Sequence, residues 1–129
     1  MRRAFFMQLD YDKLNGLVPA VVQDYSTREV LMLGFMNETA FRQTLESGYA
    51  TFFSRTRNKL WRKGETSGHR LAVREVLVDC DNDSVVLLAE QSGPGTCHEG
   101  YRSCFFRRVE GDDAVVFQQR AFEPEGGAA

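Results

Sequence analysis

Three cysteines are the residues in this sequence whose type and spacing most readily support chemistry. Cys80, Cys97 and Cys104 are separated by 16 and then 6 residues, and their odd number argues against a closed set of disulfides. Thiolates suit zinc, and three protein ligands leave a fourth position for the water that a catalytic zinc activates. His98 is a candidate fourth ligand. Spacing alone fits equally well with three cysteines packed as small apolar side chains.

Three aspartates surround the first cysteine in the segment DCDND. Alternate residues of a strand face the same side, so Asp79, Asp81 and Asp83 are predicted to share one face of a strand end, with Cys80 on the other. Carboxylates suit magnesium or calcium, whereas thiolates suit zinc. The pattern therefore predicts two different metals on opposite sides of one strand end. A solvated acidic turn is the alternative. An EF-hand loop is excluded because Ser84 stands where its turn needs glycine.

A basic segment spans residues 54–70, SRTRNKLWRKGETSGHR. Six Lys and Arg residues stand against one acid, a local charge of +5 in a chain whose net charge is −2. This density on a glycine-containing loop is typical of phosphate binding by Arg and Lys. Trp61 could stack on a base, and His69 is our candidate general base. A basic loop without a ligand is the alternative.

Short strands and one helix are predicted to position these groups. Residues 17–22 and 30–36 form a hairpin, and a helix begins after its cap Asn37 and ends at Gly48. The remaining predicted strands are YATFFSRT, RLAVREVLVDC, SVVLLAEQ, and CFFRRVE with AVVFQQRAF around the turn GDD. The stretches RNKLWRKGETSGH and SGPGTCHEGYRS are predicted to be loops. Seven or eight short strands with one helix predict a mainly β, barrel-like fold.

Length and composition indicate one domain in residues 1–122 with a flexible tail, EPEGGAA, in residues 123–129. The small net charge gives no global attraction to nucleic acid or to an anionic membrane. No apolar run approaches the ~20 residues needed to span a bilayer, and no signal peptide is apparent. We therefore expect a soluble, cytoplasmic protein without nucleic-acid or membrane partners.

Taken together, these segments resemble the phosphoribosyl-AMP cyclohydrolase family of histidine biosynthesis. The similarity covers most of residues 16–108, in order, through GLVPAVVQD, LMLGFMNETAF, SRTRNKLWRKGETSGH, DCDND and GTCHEGYRSCFFR. The resemblance implies a β-rich pseudo-barrel with one helix (α+β in character), assembled as a homodimer. No pyrophosphatase domain of the kind often fused in bacteria is expected, so the chain is similar to the monofunctional form.

The resemblance also implies a metal-dependent reaction. It implies magnesium on Asp79, Asp81 and Asp83. It implies zinc on Cys80, Cys97 and Cys104, with the thiolates drawn from both subunits. Zinc-activated water would add to carbon 6 of the adenine ring of phosphoribosyl-AMP and open the bond to nitrogen 1. His69 is the candidate base and His98 the second choice. The candidate substrate contacts are Arg55, Lys59, Trp61, Lys63, Glu65, Ser67, Arg102 and Ser103.

A rival from another class is a zinc-stabilised nucleic-acid-binding module that uses residues 54–70. It predicts steeply salt-dependent binding and no hydrolysis. The pI of about 5.7 and the three aspartates argue against it. A zinc nucleobase deaminase is excluded because the sequence lacks the paired H-x-E and P-C-x-x-C motifs of that class.

Overall fold

The structure, a computed structural model, describes residues 7–124. These residues form eight strands, one α-helix and a short 3₁₀ helix, so the mainly β fold with one helix is confirmed for this part of the chain. The strands are β1 (Val18–Asp24), β2 (Val30–Met36), β3 (Thr51–Ser54), β4 (Lys59–Arg62), β5 (Leu71–Val78), β6 (Val85–Gln91), β7 (Arg107–Glu110) and β8 (Asp113–Val116). Helix α1 spans Glu38–Ser47, and the 3₁₀ helix spans Asp12–Leu14.

The centre of the fold is a four-stranded sheet in the order β2-β1-β6-β5. Two antiparallel hairpins, β1–β2 and β5–β6, are joined side by side through a parallel pairing of β1 with β6. Alternate residues of β1 are buried because one face of the strand packs on the core, where Val18, Ala20 and Val22 are fully enclosed. The predicted first hairpin is therefore confirmed.

The predicted barrel is wrong for the described residues, whose strands do not close into one. The four-residue strands β3 and β4 pair only with each other, and so do β7 and β8. Neither hairpin pairs with β2 or β5 as a strand of the central sheet, so the sheet is not continued from β2 round to β5. Only an isolated bridge between Tyr49 and Ala72 extends the sheet beyond β5.

Helix α1 forms where its capping residues predict. The Asn37 side chain accepts a hydrogen bond from the Ala40 amide at 2.8 Å, which satisfies a free N–H of the first turn. Gly48 ends the helix in the left-handed conformation, with φ of 83°. Ala40, Phe41 and Thr44 face the core. No helix among residues 7–124 is long and apolar enough to cross a membrane.

Strand β4 is a correction, because it lies in the basic stretch RNKLWRKGETSGH that we predicted to be a loop. Trp61 pairs with Phe52 across β3 and β4, with ring centroids 5.1 Å apart. Asn58, with φ of 55°, turns the chain between the two strands. An aromatic cross-strand pair of this kind stabilises a short hairpin whose sequence is otherwise basic and polar. Of the predicted flexible tail, residues 125–129 lie outside the described residues.

Replacing Gly34 should disturb the packing that supports Trp61. A Cβ on Gly34 would lie 2.6 Å from Cδ1 of Phe52, which is fully buried. We expect Gly34→Ala to lower the free energy of unfolding by about 1–3 kcal/mol through overpacking, measured by urea denaturation. Leu33→Ala, at an exposed position of the same strand, is the control and should cost less than about 1 kcal/mol. Equal stability of the two variants would contradict this account of Gly34.

Candidate functional site

The aspartate cluster lies on a turn, which corrects the predicted strand geometry. Strand β5 ends at Val78, and residues 79–84 reverse the chain into β6. The Asp79 amide donates to the Ser84 carbonyl at 3.1 Å, and Asn82 has φ of 63°. The prediction of one strand face for the aspartates and the opposite face for Cys80 is therefore wrong. The turn itself gathers Asp79, Asp81 and Asp83, whose carboxylate oxygens lie within 4.8 Å of one another.

One ammonium group partly neutralises this cluster. Lys13 Nζ lies 2.9 Å from Asp81 Oδ2 and 3.0 Å from Asp83 Oδ2. A hydrogen bond from the Ser84 hydroxyl lowers the pKa of Asp79, and Lys13 lowers that of Asp81. Lys13 also acts to lower the pKa of Asp83, but the neighbouring Asp79 and Asp81 outweigh it and raise that pKa. Three carboxylates thus face one cation, so a further cation at this turn would be favourable.

Two of the three cysteines lie together at the other end of the fold. The Cys97 residue is only 4% exposed, and the Cys104 thiol lies beside it, although Cys104 as a whole is exposed. Desolvation of the thiol and the neighbouring Cys97 raise the pKa of Cys104 to about 11. Lys63 approaches both thiols, and its Nζ donates to the Thr96 carbonyl at 2.7 Å. Burial lowers the pKa of Lys63, while the two thiols oppose that shift.

Cys80 does not join this pair within one chain. It is exposed on the turn that precedes β6, whereas Cys97 follows the opposite end of that strand. A seven-residue strand spans roughly 20 Å. Within residues 7–124, the aspartates form the only group of three or more candidate metal ligands whose ligand atoms lie within 4.8 Å of one another. One chain therefore brings together two of the three cysteines predicted to bind zinc.

A cavity of about 330 Å³ opens beside Cys97. The His69 ring forms one wall and meets the Phe122 ring edge to face, with centroids 4.9 Å apart and an interplanar angle of 87°. Gly93 permits this position, since a Cβ there would lie 2.6 Å from Cδ2 of His69. The cavity is lined by Lys63, Ser67, His69, Thr96, Cys97, His98, Phe122 and Glu123.

A second cavity of about 700 Å³ adjoins the first and is lined mainly by the basic segment. Ser67 and His98 line both cavities, so the two are neighbours, and together they are called the cleft below. Volumes of this order are typical of small-molecule sites. The second cavity is lined by Ser54, Arg57, Lys59, Leu60, Trp61, Arg62, Gly64, Glu65, Thr66, Ser67 and His98.

Five of the eight predicted substrate contacts line this cleft. They are Lys59, Trp61, Lys63, Glu65 and Ser67. The Glu65 side chain also accepts a hydrogen bond from the Arg62 amide at 2.8 Å, which holds the turn after β4. Both candidate bases, His69 and His98, lie in the cleft as well, although the His98 side chain is mostly exposed.

The other three predicted contacts have partners elsewhere. The Arg55 guanidinium lies over the Phe35 ring, 4.0 Å from its centroid. Arg102 pairs with Glu29 at 3.1 Å. Ser103 is buried, and its hydroxyl donates to the Val30 carbonyl at 2.7 Å. None of the three lines either of the two cavities.

Sequence reasoning missed several residues of the cleft. Arg57 and Arg62 lie within the basic segment, and its charge density was a sufficient signal for them. Phe122 gave no local signal. It reaches His69 because the amides of Ala121 and Phe122 donate to the Gly100 carbonyl, which fastens residues 121–122 to the cysteine loop.

A cleft with thiols and imidazoles at one end and cationic side chains at the other fits an enzyme that acts on a small phosphorylated molecule. Comparison with known proteins is more specific. The profile of a family described as phosphoribosyl-AMP cyclohydrolase matches residues 32–106. The chain belongs to the phosphoribosyl-AMP cyclohydrolase family, which is a family of hydrolases, and this confirms the resemblance noted in the sequence.

Several curated relatives carry that name. The phosphoribosyl-AMP cyclohydrolase of Desulforapulum autotrophicum is 58% identical over 120 residues, which cover 92% of this chain and 96% of the relative. The protein of that name from Solibacter usitatus is 53% identical over 118 residues, covering 92% and 94%. Its counterpart in the archaeon Methanosarcina mazei is 52% identical over 120 residues, covering 93% and 95%.

Trp61 should report nucleotide binding directly, because it is the single tryptophan of the chain and lines the larger cavity. We expect AMP to quench its fluorescence in a saturable way. Loss of one charge-assisted contact in Lys59→Ala should weaken AMP binding roughly tenfold. Arg55→Ala is the matched control and should leave the affinity unchanged, since Arg55 covers Phe35 outside the cleft. Equal weakening by both substitutions would refute this description of the cleft.

Proposed function

We propose that this chain hydrolyses phosphoribosyl-AMP. Water adds to carbon 6 of the adenine ring, and the bond between carbon 6 and nitrogen 1 breaks. The product is the phosphoribosyl-formimino aminoimidazole carboxamide ribotide, in the third step of L-histidine biosynthesis. The observation that carries the proposal is the pair of neighbouring cavities, one lined by Cys97 and His69 and the other by Trp61 and basic side chains. The names of the curated relatives support the same reaction.

Within this cleft we assign separate catalytic and binding roles to the chain's own side chains. The His69 imidazole takes a proton from the attacking water, and its edge contact with Phe122 fixes the orientation of the ring. Lys59 and Lys63 hold phosphate oxygens, while the face of Trp61 supports the base. The size of the cleft favours a small ligand over a nucleic-acid backbone, which is why we prefer hydrolysis to the nucleic-acid-binding alternative.

The cysteine pair fits a zinc ion, and we place zinc there as part of this proposal. The Cys104 thiol, whose pKa is raised by desolvation and by the neighbouring Cys97, stays protonated at neutral pH unless a cation stabilises its thiolate. Cys97 and Cys104 would supply two sulfur ligands, and Cys80 of the partner subunit a third. When bound, zinc lowers the pKa of a coordinated water toward neutrality.

The aspartate turn fits a hard divalent cation. Asp79, Asp81 and Asp83 converge at the surface, where magnesium could retain water ligands and accept a substrate phosphate. We therefore assign magnesium to this turn. The Lys13 ammonium contacts two of these carboxylates but supplies one positive charge against three negative charges, and this uncompensated charge supports the assignment.

A homodimer completes the proposal. Among residues 7–124 the β7–β8 hairpin pairs only with itself, and all eight of its strand residues are exposed, including Val109 at 79%. Isolated two-stranded hairpins are marginally stable, and exposed apolar side chains favour association. We propose that a second copy covers this hairpin and contributes its Cys80 to the thiol pair. A cytoplasmic location remains a prediction.

Turnover and metal content test the proposed function together. The purified protein should contain about one zinc per chain and convert phosphoribosyl-AMP, followed by the change in ultraviolet absorbance as the ring opens. Cys97→Ala should lose both zinc and turnover, since it removes a central sulfur ligand. A Cys97→Ala variant that keeps both would remove zinc from the proposal. Wild-type protein with no turnover and strongly salt-dependent RNA binding would favour the nucleic-acid alternative instead.

Mixed dimers test whether the proposed zinc site is shared between two subunits. Co-expression of Cys80→Ala with Cys97→Ala produces heterodimers in which one of the two composite sites regains all three thiols. About a quarter of wild-type activity should then return, because half of the dimers are mixed and each has one intact site. Two variants that stay inactive together, while each still dimerises, would show that the thiols do not combine across subunits.

The two histidines can be separated by kinetics. We expect His69→Ala to lower kcat by a factor of about 10²–10⁴ with a smaller effect on KM, since proton transfer to a positioned base contributes that much. His98→Ala is the comparison because His98 lines the same cavity with a mostly exposed side chain. A larger loss of kcat in His98→Ala than in His69→Ala would transfer the role of base to His98.

A further inference from the structure

The Cys104 thiol is presented by a segment that lies along the outer edge of β2. The Cys104 amide donates to the Leu31 carbonyl at 2.7 Å. On one side of it, the Ser103 hydroxyl donates to the Val30 carbonyl at 2.7 Å. On the other side, the Phe105 amide donates to that same hydroxyl at 2.8 Å. One side chain therefore links the residues before and after Cys104 to each other and to the central sheet.

Ser103 is enclosed, and its hydroxyl is directed into the fold; its role as a substrate contact stays a prediction. Its exposure is 1%, and its one hydroxyl proton is directed to Val30. The residue before β2 reinforces the same attachment. Glu29 accepts from Arg102 Nε at 3.1 Å and from Gln118 Nε2 at 2.9 Å, so it holds the segment at both ends of the hairpin that follows.

From these contacts we infer that Ser103 is a positioning residue for the Cys104 thiol. The inference rests on the zinc site of the proposed function. Without the hydroxyl, the Phe105 amide loses this acceptor and the Val30 carbonyl loses this donor, while the Cys104 amide keeps its bond to Leu31. The position of the Cys104 thiol relative to the Cys97 thiol would then be less well fixed. Removing groups that orient metal ligands typically weakens metal binding 10–100-fold.

Thr44 offers a matched control in the same chain. Thr44 is also 1% exposed, and its hydroxyl donates to the Ala40 carbonyl at 2.9 Å and accepts from the Thr51 amide at 3.0 Å. It contacts helix α1 and β3 and neither thiol. Thr44→Val and Ser103→Ala therefore each remove one buried hydroxyl with comparable hydrogen bonds. A general loss of stability should affect both variants alike.

Two measurements on the intact protein test whether Ser103 positions the Cys104 thiol. The first is titration of the metal-free protein with Co²⁺, which gives thiolate-to-metal absorption bands. The second is the rate at which Cys104 is alkylated in the metal-free protein, followed by mass spectrometry of its peptide. Ser103→Ala should weaken Co²⁺ binding 10–100-fold and accelerate alkylation of Cys104. Thr44→Val should match the wild type in both. If Ser103→Ala does not fold, Glu29→Gln replaces it and should change both readings in the same direction.

The outcomes separate this inference from the function on which it rests. Wild-type protein that binds no Co²⁺ through its thiols would refute the zinc site, while the alkylation rates would still test the positioning of Cys104. Unchanged Co²⁺ affinity and alkylation in the Ser103 variant would overturn the inference and leave the zinc site intact. Equal effects of Ser103→Ala and Thr44→Val would also overturn it, since they would reflect stability alone.

Discussion

The parallel pairing of β1 with β6 determines that the aspartate turn and the thiol pair lie at opposite ends of the central sheet. Because the strands run in the same direction, the residues that precede them lie at one end of the sheet and the residues that follow them at the other. Lys13 and the aspartate turn precede β1 and β6. The cysteine loop follows β6, and Leu31, which fixes Cys104, lies at that same end of β2. The carboxylates and the thiol pair are therefore separated by the length of β6.

The parts of the fold that could be predicted are those specified by neighbouring residues. Asn37 and Gly48 define helix α1 by capping chemistry that operates within one turn, so both ends were correct. The first hairpin follows from two apolar runs with a polar turn between them. Strand β4 could not be predicted in this way, because it forms through the contact of Trp61 with Phe52 on another strand. Barrel closure depends on pairings between distant strands, which local periodicity does not specify.

The candidate site also contains features that could be predicted from the sequence and features that could not. Residue type identified the carboxylates, the thiols and the basic cleft, since charge density and ligand softness are visible in the sequence. The positions of these side chains in space could be predicted less well. The aspartates converge because Asn82 and the Ser84 contacts form a turn, and strand parity has no part in it. Ser103 and Arg102 stand beside Cys104 in the sequence, but their side chains bond to Val30 and Glu29, and neither lines the cleft, so their predicted substrate contacts stay predictions.

The separation of the two ends has a consequence for the proposed dimer. If the partner's Cys80 reaches the thiol pair, its neighbours Asp79 and Asp81 must come with it, because adjacent Cα atoms are only about 3.8 Å apart. The acidic turn of one subunit would then face the basic cleft of the other, where Lys63 and Lys59 already lie. Opposite charge would favour this docking, and the hard and soft cation sites that lie far apart in one chain would become neighbours. A substrate with a phosphate at each end could then bridge cationic groups supplied by both subunits. Because Cys80 and Cys97 lie far apart within one chain, such a site would require a second subunit.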